Sequence, residues 1–200
     1  MKQKIKEKKE RSLGTKLFLK AERCDSQKCV MIRRPYRPGD HGQKRHSVSD
    51  FGKQLQEKQK MTIIYGLTNR QLENLFDEIG NKDQILETLE HRLDRVVYHL
   101  RLAESSRIAR QLVSHGHILV DGRKVTVPSF HVKVGNVISI RPESRKSKAF
   151  EGLGERLKKY TPPEWLAVKP EDFSGTCVKE YPGGEHLPFD INLVGEFYAR

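Results

Sequence analysis

Apolar residues in the first half of the chain recur at steps of three and four, the helical period. Leu72, Leu75, Phe76 and Ile79 form one such stripe. Thr68, with Gln71 three residues later, makes a capping box ahead of it, and Gly80 stops it. Upstream, Ser49 or Asp50 caps a helix expected to reach about Tyr65, where Gly66 breaks it, with Lys53, Lys58 and Lys60 exposed. Downstream, Leu89, Leu93, Val96, Val97 and Leu100 share a face. With Asp83 as cap, this pattern predicts a helix unbroken to about Arg101, on the order of 28 Å long at roughly 1.5 Å per residue. Arg92 and Arg95, three apart, then project from one flank. Ser105 and Ser106 offer an N-cap to a further helix with Ile108, Leu112 and Val113 buried, Arg107, Arg110, Gln111 and Ser114 on another side, and Gly116 at its left-handed end.

The period then changes. Ile118–Val120 and Val125–Val127 flank Asp121-Gly122-Arg123-Lys124, and Asp-Gly favours a type I′ hairpin turn. Pro128 ends the second run. Val132, Val134, Val137 and Ile140 continue around Gly135-Asn136 as a further short pair. The expectation is two helices and a curled hairpin, with Arg107, Arg110, His115, Arg123 and Lys124 near one rim. After Arg141 the chain is rich in Ser, Lys and Arg as far as Tyr160. Trp165-Leu166 anchors a short extended piece, Phe173, Val178 and Tyr181 suggest another strand or two, and Ile191, Leu193, Val194, Phe197 and Tyr198 form a C-terminal patch that must be buried.

Charge narrows the partners. The 200 residues carry a formal net charge of +12, and the sequence pI is about 9.7. That balance favours a polyanion, the alternative being a basic surface with no nucleic-acid role. No run of about 18 apolar residues predicts a membrane span, and the lysine-rich start lacks the apolar stretch of a secretory signal. Three cysteines cannot make a disulfide framework and fit a reducing compartment. Cys24 and Cys29 could be half of a zinc site, with His41 and His46 considered as further ligands, or two core thiols. Lacking a second half, no metal is expected. Residues 1–12 are nearly all charged and read as a mobile tail, either solvated or phosphate-binding. Lys16 and Lys20 flank a short apolar turn. Residues 33–46 are the most basic loop. There Arg33, Arg34, Arg37, Lys44 and Arg45 suit phosphates, and Tyr36 and His41 suit an unpaired base, against a plain exposed loop. Arg145, Lys146, Lys148, Arg156, Lys158 and Lys159 make a second basic segment, RNA-facing or a solvated linker-helix. There is no Walker-type glycine loop and no G-x-S-x-G. His115 and His117 read as an RNA contact and a hairpin neighbour, and Asp94 as a partner of Arg92 and Arg95. The chain is therefore expected not to be an enzyme and to need no cofactor.

Several motifs together resemble one family. Leu93-Asp94, Arg107, Ala109 to Val113, His115-Gly116, Val120-Asp121-Gly122 and Val137 to Ile140 resemble the small RNA-binding module named after small ribosomal subunit protein S-four. That module also occurs on RNA-modifying and tRNA-charging enzymes. The flanks are similar to the ribosomal family itself: Gly14-Thr15, Leu17 to Lys20, Pro38-Gly39-Asp40-His41-Gly42, Ser49 to Gly52, Tyr65-Gly66, Pro163 to Leu166 and Glu196 to Arg200. The resemblance implies an α+β chain in which a mostly helical split domain surrounds an inserted module of two helices and a curled antiparallel sheet. It gives a helical rRNA-binding domain with a basic arm over 1–88, the module over 89–155, and a C-terminal extension over 156–200 returning to the helical domain. It implies a structural constituent of the small ribosomal subunit in the cytoplasm. Such a protein is a primary binder of a multi-helix junction in the 5′ domain of small-subunit rRNA, nucleates assembly, lines the mRNA entry channel beside neighbouring ribosomal proteins, and contributes to translational accuracy. No homo-oligomer is expected. Two cationic faces at a set angle would give specificity. Free RNA chaperoning or repression of its own message remains an alternative. Ser47 stands where the family often has arginine, and of the four N-terminal cysteines with which some relatives hold zinc only the second pair is matched. The candidate RNA-binding residues in the first domain are Lys16, Lys20, Arg33, Arg34, Arg37, His41, Lys44, Arg45, Lys53, Lys58 and Lys60. In the module they are Arg92, Arg95, Arg107, Arg110, Gln111, Ser114, His115, Asp121, Arg123 and Lys124.

Overall fold

A helix stands where a mobile tail is expected. In the computed structural model, which describes residues 6–24, 26–44, 47–147, 150–183 and 187–199, α1 spans Lys6–Leu13. Its acidic residues have partners. Glu7 lies 3.5 Å from Lys20 and 3.2 Å from Arg23. Glu10 is buried and accepts from the backbone N–H groups of Leu17 and Leu19 at 3.0 and 3.3 Å. Residues 1–5, Arg45, His46, Lys148 and Arg200 lie outside the described residues.

Two compact units are present, Met1–Ile85 with Glu185–Arg200, and Leu86–Gly184. In the first, the short helices α2 (Ala21–Cys24) and α3 (Val30–Arg33) follow α1, and Cys24 and Cys29 are buried thiols. α4 (Asp50–Tyr65) is capped by the Ser49 hydroxyl, which accepts from the Gly52 N–H at 3.2 Å, and it ends at Gly66 with φ +61°. α5 (Asn69–Ile79) has the expected capping box. Thr68 Oγ1 accepts from the Gln71 N–H at 3.3 Å, and Gln71 Oε1 accepts from the Thr68 N–H at 3.0 Å.

The long helix expected through residues 83–101 is two helices, α6 (Lys82–Glu90) and α7 (Leu93–His99). Asn81 takes the capping role expected of Asp83, its Oδ1 accepting from the Asp83 N–H at 3.0 Å. Arg92 is extended, with ψ 139°, and bridges to His131. The N–H groups of Leu93 and Asp94 donate to the carbonyls of Phe130 and Pro128 at 2.8 and 3.2 Å, and the Val132 N–H donates to the His91 carbonyl at 2.8 Å. His91 is satisfied at both ring nitrogens: Nδ1 donates to the Val132 carbonyl and Nε2 accepts from the Tyr181 N–H. A remote loop thus replaces one helical turn. The apolar stripe runs through the break because Leu89, Leu93, Val96 and Val97 are all buried.

α8 (Ser106–Ser114) starts at Ser105, whose hydroxyl accepts from the Ile108 N–H. Then come β1 (Ile118–Val120), β2 (Arg123–Lys124), β3 (Val137–Ile140), a 3-10 turn (Pro142–Ser144), α9 (Leu153–Lys158), β4 (Leu166–Lys169) and β5 (Ser174–Cys177). They make an open antiparallel sheet in the order β2-β1-β3-β5-β4. Asp121 (φ +48°) and Gly122 (φ +79°) form the hairpin turn. Two strand expectations fail. The return strand is Arg123–Lys124 rather than Val125–Val127, and Val137–Ile140 pairs with β1 and β5 rather than with residues 132–134. Val132 has already given its N–H to His91.

The extension expected to leave the module at residue 156 stays in it through β4 and β5. Trp165 is buried, with ring centroids 5.4 Å from His91, 5.7 Å from His99 and 5.7 Å from Tyr181. A Cβ on Gly175 of β5 would lie 2.3 Å from Leu100 Cδ2, so only glycine lets the strand close on the end of α7. The C-terminal apolar patch is α10 (Ile191–Tyr198), which belongs to the first unit and packs on α4 and α5. Val194 is buried, Phe197 stacks on Phe51 at 5.6 Å, and Tyr198 stacks on Phe76 at 4.8 Å.

Candidate nucleic-acid interface

The rim of the module is built on α8. Gln111, Ser114 and His115 are exposed, and Arg107 and Arg110 are half-buried. Beneath them Asp94 is buried, 3.7 Å from the Arg110 guanidinium and 3.3 Å from that of Arg92. Burial pushes the Asp94 carboxyl above its ordinary pKa, against the pull of Arg92, Arg110 and Arg95. One acidic group therefore holds two arginines, of which Arg110 reaches the surface with its side chain 40% exposed and Arg92 stays largely covered. Lys124 is placed by a different device. A Cβ on Gly116 would lie 2.1 Å from Lys124 Cε, so the lysine stem crosses the end of α8 over a glycine at φ +75°. Arg123 is exposed beside it on β2.

Two candidates in the module serve the fold. Asp121 accepts from the Val137 N–H at 2.8 Å and from Asn136 Nδ2 at 2.6 Å, tying the hairpin to β3. Arg95 is buried and bidentate to Glu90, with Nε and Nη2 each 3.1 Å from a carboxylate oxygen, and its Nη1 donates to Ser106 Oγ at 3.1 Å. His99 Nε2 lies 2.7 Å from the same carboxylate. Burial alone would raise the Glu90 pKa, but the Arg95 charge and the His99 contact outweigh it and hold the carboxyl well below the usual range. Arg92 and Arg95 do not share a flank, because Arg92 stands outside α7.

In the first unit the basic loop is held from α1. Arg11 Nε donates to the Tyr36 carbonyl at 2.9 Å and its Nη2 to the Arg37 carbonyl at 3.2 Å, while the guanidinium sits 5.0 Å from the Tyr36 ring centroid. A Cβ on Gly42 would lie 1.8 Å from the Arg37 carbonyl oxygen. This tight turn leaves Arg33, Arg34, His41 and Lys44 exposed and Arg37 half-buried. Arg11 and Glu10 were hidden in a charge run. The only sequence signal for them is the spacing of Glu7, Glu10 and Arg11 at steps that share a helix face.

The other cations of this unit are more committed than their spacing suggests. Lys16 is half-buried, and Lys20 is exposed beside Glu7. Of the three α4 lysines only Lys53 is exposed, 2.9 Å from Asp50. Lys60 is 2.7 Å from Glu57 with its side chain 12% exposed. The Lys58 ammonium lies 4.3 Å from the Phe197 ring centroid and 5.1 Å from that of Tyr198, in cation–π contact. The return of α10 turns Lys58 inward, whereas Lys60 is held by Glu57 of its own helix.

Among the described residues, no group of three or more His, Cys, Asp or Glu side chains is placed to hold a metal ion. Among them, no helix is long and apolar enough to cross a membrane.

Residues 2–94 match the family described as ribosomal protein S4/S9 N-terminal domain, and residues 91–138 match the S4 domain. The small ribosomal subunit protein uS4 of Syntrophomonas wolfei is 46% identical over 195 residues, covering 94% of this chain and 93% of that protein. Its counterpart in Halothermothrix orenii is 45% identical over 194 residues with the same coverage. The Thermus thermophilus protein is 46% identical over 195 residues, again with the same coverage.

Proposed function

The chain belongs to the small ribosomal subunit protein uS4 family, and from that premise we propose that it is a structural, non-enzymatic component of the small ribosomal subunit that binds its rRNA. The observation that most directly supports this is the module rim, where Arg110 of α8 is held by the buried Asp94 carboxylate and Lys124 is laid over Gly116. Such groups are ordered before RNA arrives, so little side-chain freedom is lost on binding. Phosphate neutralisation releases counterions, and affinity falls with salt. A-form RNA hides its major groove, so the rim meets phosphates and 2′-hydroxyls rather than base edges, and Gln111 and Ser114 suit the latter.

The finer reading is that the protein nucleates assembly on a multi-helix junction of the 5′ domain. In it the basic loop of the first unit, with Lys44 exposed, lies at the mRNA entry channel beside neighbouring ribosomal proteins and bears on decoding accuracy. Filter binding of the full chain to a 5′-domain transcript at several salt concentrations tests the core claim. Affinity is expected to fall steeply with salt, and the joint replacement R107A/R110A to weaken binding by about tenfold or more. A flat salt profile would remove the rRNA-binding reading.

A further inference from the structure

Among the described residues, Phe18, Arg101, Asp121 and Phe173 have positive φ without being glycine. Asp121 belongs to a turn that requires it. Arg101, at φ +55°, lies in the connection between α7 and α8 and is exposed. A left-handed arginine is strained, because its Cβ crowds the backbone, and such strain persists only where the surroundings hold it. Glycine would sit there without strain, so the backbone gives no reason for arginine.

The side chain does. The Arg101 guanidinium lies 5.7 Å from the Tyr98 ring centroid and 5.3 Å from that of Tyr160. The Tyr160 hydroxyl donates to the His99 carbonyl at 2.7 Å, which fixes that ring to the end of α7. The Arg95 guanidinium is also in contact with Tyr98, 5.2 Å from its centroid, and Glu90 holds Arg95. A relay from Glu90 through Arg95 and Tyr98 therefore places an exposed cation. Arg92, Arg95, Arg110 and Arg156 each meet a carboxylate, whereas Arg101 meets none among the described residues. Aromatic faces leave the N–H edge of a guanidinium available, and that planar fork matches a phosphate.

We infer that Arg101 is a phosphate contact of the module to RNA, separate from the α8 rim. The inference rests on the rRNA-binding reading above. The test uses full-length wild type, R101G and R101K, with binding to the 5′-domain transcript at several salt concentrations and thermal midpoints in parallel. R101G is expected to keep or raise the midpoint, to weaken binding about three- to tenfold, and to make the log–log salt slope shallower by about one. R101K should keep the slope and recover only part of the affinity, because an ammonium lacks the fork. If R101G binds as tightly as wild type with the same slope, the contact does not exist and the rRNA-binding reading stands. A midpoint falling together with affinity would make Arg101 a support of the fold and overturn the inference. Wild type without salt-dependent binding would remove both.

Discussion

Glu90 and Asp94 are both buried, which pushes both carboxyls up, but the Arg95 charge and His99 reverse the outcome at Glu90 while the arginines around Asp94 do not. Glu90 has a folded pKa below its ordinary value of 4.5. Its contribution to stability is complete above about pH 4.5 and is lost as pH falls through the folded value. Asp94 has a folded pKa above 3.8, so its contribution is complete below pH 3.8 and is lost as pH rises. Replacing Glu90 by Gln leaves Arg95 buried without its counter-charge and is expected to cost about 3–5 kcal/mol at neutral pH. Thermal melts from pH 7 to pH 3 should show the gap between wild type and E90Q narrowing below about pH 4.5. Gly116→Ala is a different kind of test, because no charge changes. A left-handed alanine costs roughly 1–2 kcal/mol, and its Cβ displaces the Lys124 stem. A lowered thermal midpoint with weaker RNA binding is the expected outcome. From spacing alone Arg95 and Arg107 look alike. Burial separates them, and it depends on a break in the helix that spacing does not show.

The elements readable in the sequence are those whose ends are decided locally. Thr68 with Gln71, Ser49, Ser105, Gly66, Gly80 and Asp121-Gly122 each fix a boundary through a hydrogen bond or a φ value within a few residues. The break between α6 and α7, the short β2 and the partners of β3 were not readable. They are decided by bonds to residues far along the chain, from Leu93 to Phe130, Val132 to His91 and Gly135 to Cys177. The basic loop is intermediate. Its prolines and glycines announce turns, but the arginine that holds it lies 25 residues upstream of Tyr36. Gly42→Ala should force the loop to rebuild, since its Cβ would meet a backbone carbonyl rather than a flexible side-chain end. RNA affinity should drop while the module keeps its amide protection. Arg11→Ala should act in the same direction and less strongly, and hydrogen exchange across residues 33–44 would read both.

At the scale of the whole chain, the net charge of +12 overstates the cations free to meet RNA. Arg95, Lys58 and Lys60 are turned inward, while Arg107 and Arg110 on α8, Arg123 and Lys124 on the hairpin, and Arg33, Arg34, Arg37 and Lys44 on the basic loop are exposed or half-buried. The first unit depends on the far end of the chain, since α10 supplies Val194, Phe197 and Tyr198 to α4 and α5. Deleting residues 187–199 is expected to speed amide exchange in α4 and α5 while β1 and β3 stay protected. The bond from Gln54 Nε2 to Glu196 spans 142 residues, and this has a consequence in time. In order of synthesis, residues 86–184 are all made before the helix that covers α4 and α5. Maturation therefore runs against the order of synthesis: the stretch made first is finished last, and a released chain that ends before α10 carries every strand of the module but an uncovered α4 and α5.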